Sequence, residues 1–213
     1  MKSEKTRGEL RIRPFRSDSV EQAVGIHLAA FPGFFLARLG PRVLRILYRE
    51  FAERPEDVVA IEARLNDKVV GVAVGPCRPG EFFETFVRRR RMSLAMASIL
   101  FMLRTPASIP RILRAIRYRG EVKSGRGALL SSIAVDPEMQ GTGVGRALLE
   151  AWCRGVRERG IEAAYLTTDR HENEATVIFY RRLGWEPGGT FVTREGRDML
   201  TMTWDAASNI APE

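Results

Sequence analysis

Hydrophobic and polar residues alternate along the first third of the chain in patterns typical of both strands and helices. Leu10–Phe15 alternates apolar and basic residues, which predicts a half-buried strand. Ser17 or Asp18 can then cap a helix that runs to about Ala30. A second amphipathic helix is predicted from Pro41, and its apolar residues share one face: Val43, Leu44, Leu47 and Phe51.

Two β-hairpins are predicted, one in each half of the chain. Val58–Leu65 and Val69–Gly75 are runs rich in branched residues, and the turn sequence Asn66–Lys68 separates them. Near the C-terminus, Gly189–Thr193 and Asp198–Trp204 flank a second polar turn that contains glycine. The first hairpin completes an order of strand, two helices and two strands.

Residues 76–127 form a basic stretch with helix-like patterns. Three helices are predicted in it, with breaks at Pro106 and Pro110: Gly80–Arg91, Ser93–Arg104 and Ser108–Arg119. The apolar run Leu94–Leu103 is shorter than the roughly twenty residues that span a bilayer. We interpret the stretch as a helical lid with a solvated basic face. A surface for anionic lipid or a charged acceptor, and a contact between two copies of the chain, are the alternatives.

The composition is that of one soluble globular domain. The 213 residues are 45% hydrophobic and 28% charged, enough to build a core, so 1–213 is predicted to be a single domain with 76–127 inserted in it. Cys77 and Cys153 match no metal or redox spacing, and no secretory signal is seen, so a cytoplasmic location is expected. The net charge of +8 calls for an anionic partner. Nucleic acid is not favoured, because no basic stripe with interleaved aromatic residues accompanies the charge.

The strongest chemical signal is a glycine-rich turn between a strand and a helix. Ser131–Val135 has the pattern of a buried strand, an Asp-Pro turn follows, and Gly141, Gly143 and Gly145 then lead into a helical pattern. Such a turn directs unpaired backbone N–H groups at one place, where the helix dipole and Arg146 add positive charge. Glycine also allows a ligand to approach the backbone closely. The sequence therefore predicts a site for a phosphate-bearing ligand.

Two common glycine motifs do not fit this turn. A Walker loop needs Lys and then Ser or Thr after its last glycine, where this chain has Arg146 and Ala147. A dinucleotide fingerprint would need a third glycine at position 146. The pattern Gln-x-x-Gly-x-Gly does fit, at Gln140, Gly143 and Gly145. It resembles the coenzyme A pyrophosphate loop of the GNAT acyltransferase superfamily.

A second GNAT-like signature lies downstream. Asn173 follows a predicted strand, Tyr180 stands seven residues later, and Gly184-Trp185 closes the predicted helix. The resemblance is sharp over 128–185. It implies an α/β GNAT fold with a mixed central sheet of about seven strands flanked by helices. The basic stretch 76–127 would be a helical insertion between the third and fourth strands.

The resemblance also implies roles for individual residues. Tyr180 is the expected general acid, because a phenol with a pKa near 10 stays protonated at neutral pH and can protonate a departing thiolate. A packing role for its ring is the alternative. An amide near Val135 would face the thioester oxygen. The expected coenzyme-binding residues are the strand end, the glycine loop and one asparagine: Ile133, Ala134, Val135, Gln140, Gly141, Thr142, Gly143, Val144, Gly145, Arg146 and Asn173.

No general base is identified. Many relatives carry a Glu on the strand before the glycine loop, but Ala128–Ser132 contains no carboxylate. Water held by Ser132 or by backbone carbonyls could serve instead. The other candidates lie elsewhere in the chain: Glu84, Glu121, His27 and His171. A structural role is favoured for both histidines.

The resemblance implies an N-acetyltransferase that uses acetyl-CoA as co-substrate and no metal. Its acceptor would be a primary amine of a small molecule or sugar, which attacks the thioester directly. One alternative is a module that binds acyl-CoA without turnover. Another is a basic protein that binds a membrane surface or nucleic acid. The intact glycine loop and Tyr180 favour the enzyme.

Overall fold

The structure is a computed structural model that describes residues 9–32, 34, 37, 40–104, 126–193 and 196–208. The strands are β1 (Leu10–Pro14), β2 (Val58–Leu65), β3 (Lys68–Pro76), β4 (Ala128–Leu129), β5 (Ser132–Val135), β6 (Ala163–Asp169), β7 (Glu186–Val192) and β8 (Asp198–Asp205). The helices are α1 (Val20–Ala30), α2 (Pro41–Glu53), α3 (Pro79–Arg104), α4 (Val144–Arg157) and α5 (Glu174–Arg181).

Within the described residues, the strands form two four-stranded sheets. Their orders are β1-β2-β3-β5 and β4-β6-β8-β7. Neighbouring strands are antiparallel, except that β4 and β6 are parallel. The predicted class, a mixed α/β arrangement flanked by helices, is therefore confirmed.

The two sheets separate within one extended segment between β4 and β5. The backbone N–H of Leu130 donates to the Tyr165 carbonyl of one sheet at 2.9 Å. The next residue, Ser131, donates instead to the Val74 carbonyl of the other sheet at 3.0 Å. The predicted fourth strand is thus interrupted at these two residues and becomes β4 and β5. The structure therefore has eight described strands where about seven were predicted.

A glycine permits the close contact at this point. A Cβ atom on Gly75 of β3 would lie 1.8 Å from the carbonyl oxygen of Leu129, a distance that no side chain could tolerate. β3 can therefore pass directly beside the end of β4, and β5 continues along β3 while β4 stays with β6.

A hydrophobic core lies on each face of the first sheet. One face of β3 and β5 packs on α1, α2 and α3 through Val72, Val74 and Ala134. The opposite face packs on α4 and α5 through Ala73, Ile133 and Val135. This alternation is the two-residue period expected of a strand buried on both sides.

The first two helices and the first hairpin follow the predicted pattern, with one correction. The predicted face of α2 is buried together with Tyr48 and Glu50, and the hairpin turn uses Asn66 and Asp67 at positive φ. The predicted N-cap at Ser17 or Asp18 is wrong. The chain enters α1 through a 3₁₀ turn, and Ser19 already has helical torsion angles, so no side chain caps the helix.

The helix α3 is continuous from residue 79 to residue 104, so the predicted break between Arg91 and Ser93 is wrong. Phe86, Arg90 and Leu94 follow one another at four-residue spacing on the side that faces the core, which carries the helix through the expected break. The predicted helix Ser108–Arg119 lies outside the described residues.

Packing and charge both hold α3 on the domain. Phe82 is buried and stacks on Phe51 of α2, with ring centroids 5.3 Å apart. Glu50 of α2 has no exposed surface, and its carboxylate accepts a hydrogen bond from Nε of Arg90 at 2.7 Å. Arg54 and Arg89 approach the same carboxylate at 3.7 Å. A buried carboxylate needs such partners, so this cluster fixes the orientation of α3.

Candidate active site

The glycine loop leads directly from β5 into α4. Asp136 begins it by accepting a hydrogen bond from the Glu138 backbone N–H at 3.1 Å, and Thr142 donates to the Met139 carbonyl at 2.6 Å. Gly141 has φ +77 and Gly143 has φ +93, so both occupy the left-handed region that favours glycine. These torsion angles are what turn the chain from the strand into the helix.

The space above the loop is open. A Cβ atom on Gly141 or Gly143 would meet no atom within 4 Å, and Gln140 and Thr142 are exposed. Gly143 is the N-cap of α4 and supplies no side chain, so the first N–H groups of the helix face this space. The loop therefore has the form of an anion site.

Two other residues of the predicted loop face away from this space. Val144 is buried in the core. A Cβ atom on Gly145 would lie in ordinary contact with Val135 at 3.6 Å and Phe179 at 3.7 Å, so this position faces the end of β5 and α5 rather than the open space. Arg146 is exposed, and its guanidinium pairs with Glu150 one turn later at 2.8 Å.

β5 has a strand partner on one side. Its residues pair with β3 in register, from Gly71 opposite Val135 to Val74 opposite Ser132. In the described part of the chain β5 is the last strand of its sheet, so its other edge faces the gap where the two sheets diverge. In an antiparallel pair, alternate residues direct both their N–H and their C=O away from the partner strand. Part of the backbone of Ile133–Val135 therefore borders that gap.

Asn173 lies between β6 and α5 as the N-cap of the helix. Its side-chain nitrogen donates to the Thr168 hydroxyl at 2.6 Å and to the Asp169 carbonyl at 2.9 Å. The amide nitrogen is thus committed to holding the end of β6. The side-chain oxygen takes no part in these two bonds.

Tyr180 is buried on α5, with 6% of its surface exposed. Its ring lies 5.2 Å from that of Phe179 and 5.8 Å from that of Trp185, measured between centroids. Burial raises the pKa of the Tyr180 phenol above its ordinary value of about 10. The side chain therefore combines a packed ring with a hydroxyl that stays protonated at neutral pH.

A polar cluster of three residues lies beside β5. Nδ1 of His27 is 3.0 Å from the Tyr48 hydroxyl and 3.3 Å from Oγ of Ser132. His27 and Tyr48 are buried, and Ser132 is half-buried. Burial raises the pKa of Tyr48, and a hydrogen bond with Ser132 opposes that rise. The sequence pattern pointed to His27 and Ser132 separately but missed Tyr48, because nothing in a helix pattern shows which strand its residues will meet.

The other candidate bases are placed differently. Glu84 is exposed on α3. His171 is also exposed, and its Nε2 lies 2.9 Å from a carboxylate oxygen of Asp198 at the start of β8. Glu121 lies outside the described residues. The polar cluster beside β5 contains neither Glu84 nor His171.

Arg197 of the last hairpin forms an ion pair with the end of β6 and a cation–π contact with the segment between α1 and α2. Arg197 donates to both carboxylate oxygens of Asp169, at 2.7 Å and 2.6 Å. Its guanidinium also lies 4.8 Å from the centroid of the Phe34 ring. Asp169 ends β6, so Arg197 links the end of that strand to Phe34 in the segment between α1 and α2.

Two further properties concern the described residues alone. They contain no group of three His, Cys, Asp or Glu side chains arranged to hold a metal ion. None of their helices has the length and apolar character needed to cross a membrane.

Burial raises the pKa of Cys153 in α4 to about 12, so that thiol is not a nucleophile at neutral pH.

Comparison with known proteins gives partial matches to two curated enzymes. The mycothiol acetyltransferase of Saccharomonospora viridis is 41% identical over 54 residues, which are 25% of this chain and 17% of that protein. The [ribosomal protein bS18]-alanine N-acetyltransferase of Escherichia coli K12 is 36% identical over 75 residues, 33% of this chain and 50% of that one. The chain thus spans half or less of the length of these relatives.

The overall fold and the family are matched more completely. A protein from Salmonella typhimurium, solved with its cofactor acetyl-CoA, superposes with a TM-score of 0.60 and 17% identity over 96% of this chain and 98% of that one. At this identity the likeness concerns the fold. The sequence profile described as the acetyltransferase (GNAT) family matches residues 26–185. Because this match covers well over half of the 213 residues, the chain belongs to the GNAT acetyltransferase family.

Proposed function

We propose that the protein is an N-acetyltransferase that transfers an acetyl group from acetyl-CoA to a primary amine. One observation carries the proposal. Gly141 and Gly143 hold left-handed torsion angles beneath open space, at the N-terminus of α4 and next to the gap-facing edge of β5. A pyrophosphate followed by an amide-containing arm is the ligand for which a phosphate turn beside an unpaired strand edge is suited.

The residues fit coenzyme A in two parts. The backbone from Gly141 to Gly145 would hold the pyrophosphate, and the edge of β5 would pair with the amides of the pantetheine arm. An arm that leaves the loop must run from Val135 back towards Ser132. The acyl end then lies at the Ser132 end of β5, and the N–H that faces the thioester oxygen belongs to this half of the strand rather than to Val135.

The proposed chemistry uses direct attack by the amine. The chain holds the thioester and the amine together, which removes most of the entropic cost of their encounter. Backbone N–H groups of β5 stabilise the negative charge that develops on the carbonyl oxygen. As the C–S bond breaks, Tyr180 donates its phenolic proton to the departing thiolate sulfur. The amine nitrogen, now bonded to the acyl carbon, has to lose a proton.

A small molecule or sugar is the proposed acceptor class. The contacts of Arg197 with Phe34 and Asp169 support this choice, because they tie the segment between α1 and α2 to the end of β6 and would restrict the space available to an extended chain. The names of the two curated relatives, a mycothiol acetyltransferase and a ribosomal protein alanine N-acetyltransferase, point to two kinds of acceptor, a small molecule and a protein. The panel that tests the proposal has to contain both kinds.

The test is a thiol-release assay with acetyl-CoA and a panel of amines. The panel contains glucosamine, spermidine, free amino acids and a peptide with an N-terminal alanine, and mass spectrometry identifies each product. We expect acetylation of an amino group on a small molecule or sugar. Acetylation of the peptide alone would overturn the acceptor class. Tight binding of coenzyme A in calorimetry without transfer to any amine would favour a module that binds acyl-CoA without turnover.

A further inference from the structure

The cluster of His27, Tyr48 and Ser132 is unusual in its surroundings. It lies beside Val72, Val74 and Ala134 in the first hydrophobic core, where a polar group costs stability unless it is hydrogen-bonded. The two buried members contact each other, and both also contact Ser132. The half-buried Ser132 is thus the member through which the cluster meets the outside of the core.

The position of Ser132 gives the cluster a function. Ser132 is the first residue of β5, at the end of the strand farthest from the glycine loop. This is where the acyl end lies if the proposed function holds, and the further inference rests on that function. The described strands β4 and β5 carry no carboxylate that could deprotonate an amine there.

We propose that Ser132 accepts the proton of the attacking amine and that His27 is the proton acceptor behind it. As the N–C bond forms, a proton moves from the amine nitrogen to Oγ of Ser132. The hydroxyl proton of Ser132 moves at the same time to Nδ1 of His27. The acetylated amine leaves neutral, and the imidazolium later returns its proton to solvent.

Tyr48 is the positioning residue of this relay. Its phenol stays protonated, so it cannot serve as the base at neutral pH. In the resting enzyme the Ser132 hydroxyl donates to Nδ1, so the proposed tautomer of His27 carries its proton on Nε2, and the Tyr48 hydroxyl oxygen lies 3.0 Å from the same Nδ1. When Nδ1 becomes protonated, the Tyr48 oxygen is within reach to accept the new N–H. The buried imidazolium therefore has a partner.

The experiment compares two conservative variants with the wild type, using acetyl-CoA and the panel amine that is acetylated fastest. Ser132→Ala removes the first acceptor. His27→Asn keeps an oxygen near the place of Nδ1, so it preserves the hydrogen bonds but cannot take a proton. We expect kcat to fall on the order of a hundredfold in both variants, as for loss of a general base, with little change in KM for acetyl-CoA.

Controls separate this relay from a structural role. Both variants are checked for wild-type coenzyme A affinity and melting temperature. If His27→Asn is folded and keeps the wild-type kcat, the cluster is structural and the relay is wrong. If the wild type transfers acetyl to no amine, the proposed function fails and the relay fails with it.

Chemical rescue covers the case in which the asparagine variant does not fold. His27→Ala leaves a space of the size of the ring, and we expect added imidazole to restore rate. Pyrazole has the same ring size but is a far weaker base, so it can refill the space without accepting the proton. Equal rescue by both compounds would show that packing alone was lost and would overturn the relay.

Discussion

Gly143 and Gly160 adopt similar backbone conformations at the two ends of α4. Their φ angles are +93 and +68, and a Cβ atom on either would meet nothing within 4 Å. Any side chain at these positions therefore costs a similar strain, about 1–2 kcal/mol. Only Gly143 lies in the glycine loop. A comparison of substitutions at the two positions therefore distinguishes the effect of backbone strain from the effect of a side chain in the ligand site.

The first prediction concerns this pair. We expect Gly143→Glu to weaken coenzyme A binding at least tenfold, or about 1.4 kcal/mol, because its side chain enters the space of the pyrophosphate and repels it. Gly160→Glu should be destabilised to a similar degree yet bind normally. Calorimetry on both folded variants measures the affinities. An unchanged affinity for Gly143→Glu would remove the basis of the proposed coenzyme site.

The second prediction concerns Tyr180. Tyr180→Phe keeps the ring packed between Phe179 and Trp185 and removes the hydroxyl alone. We expect kcat to fall by about a hundredfold, the lower end for a general acid, because a thiolate can also leave without help. Since burial raises the pKa of Tyr180, the ratio of wild-type to variant rates should stay constant from weakly acidic to weakly alkaline pH.

Steady-state rates with the identified acceptor test this prediction, and the melting temperature of the variant is the control. A folded variant with the wild-type kcat would return Tyr180 to a packing role. In that case the enzyme proposal would rest on the glycine loop and the edge of β5.

At the scale of the element, a buried carboxylate holds the long basic helix to the domain. Glu50 of α2 is fully buried and has Arg90 of α3 as its hydrogen-bonded partner. Arg91 is the next residue and is exposed on the outer side. Within the run of four arginines, Arg90 is hydrogen-bonded to the buried carboxylate, Arg89 approaches it at 3.7 Å, and Arg91 meets solvent.

The third prediction follows from this difference. We expect Arg90→Ala to reduce the free energy of unfolding by about 1–3 kcal/mol, less than for a fully buried pair because Arg90 is 30% exposed. Arg91→Ala should change it by no more than about 0.5 kcal/mol. Urea denaturation of both variants checks the prediction. Equal denaturation midpoints for the two variants would mean that the buried Glu50 carboxylate does not need Arg90 as its partner.

At the scale of the whole molecule, the predicted insertion 76–127 has two parts with different consequences. Its first part contains α3, which buries Phe82, Phe83, Phe86 and Leu94 in the first core. Removal of α3 would expose this apolar surface together with its contacts on α2. The helix is therefore part of the folded domain, whatever else the basic stretch does.

The fourth prediction compares two changes in this stretch. Replacing residues 105–125 by a glycine–serine linker of the same length keeps α3, the glycine loop and β5, so coenzyme A affinity should stay at the wild-type value. Deleting residues 79–125 should give an unstable or aggregated protein, because the first core loses three buried aromatic residues, Phe82, Phe83 and Phe86. A stable deletion variant would show that α3 is a detachable appendage. Co-sedimentation of the wild type and the linker variant with anionic vesicles reports whether the replaced segment binds lipid.

Local patterns were sufficient for most elements and for the loop. The strand, helix and hairpin periods of the first 75 residues predicted α2, β2 and β3 closely, because each pattern depends on neighbours in the chain. The glycines predicted the tight turn before α4, because positive φ angles favour glycine wherever they occur. The α1 cap and the break in α3 were mispredicted, since there the core overrode the local signal.

The sequence by itself determined the family, the order of the elements and the glycine loop. The tertiary structure decided where the sheets divide and which residues meet at that point. Leu130 and Ser131 bond to opposite sheets because Gly75 allows β3 to pass close by, and no local pattern contains that contact. The meeting of His27, Tyr48 and Ser132 was decided in the same way. The consecutive helices α1 and α2 meet β5, which lies far from them in the chain, and only their packing brings a histidine, a phenol and a hydroxyl within hydrogen-bond distance.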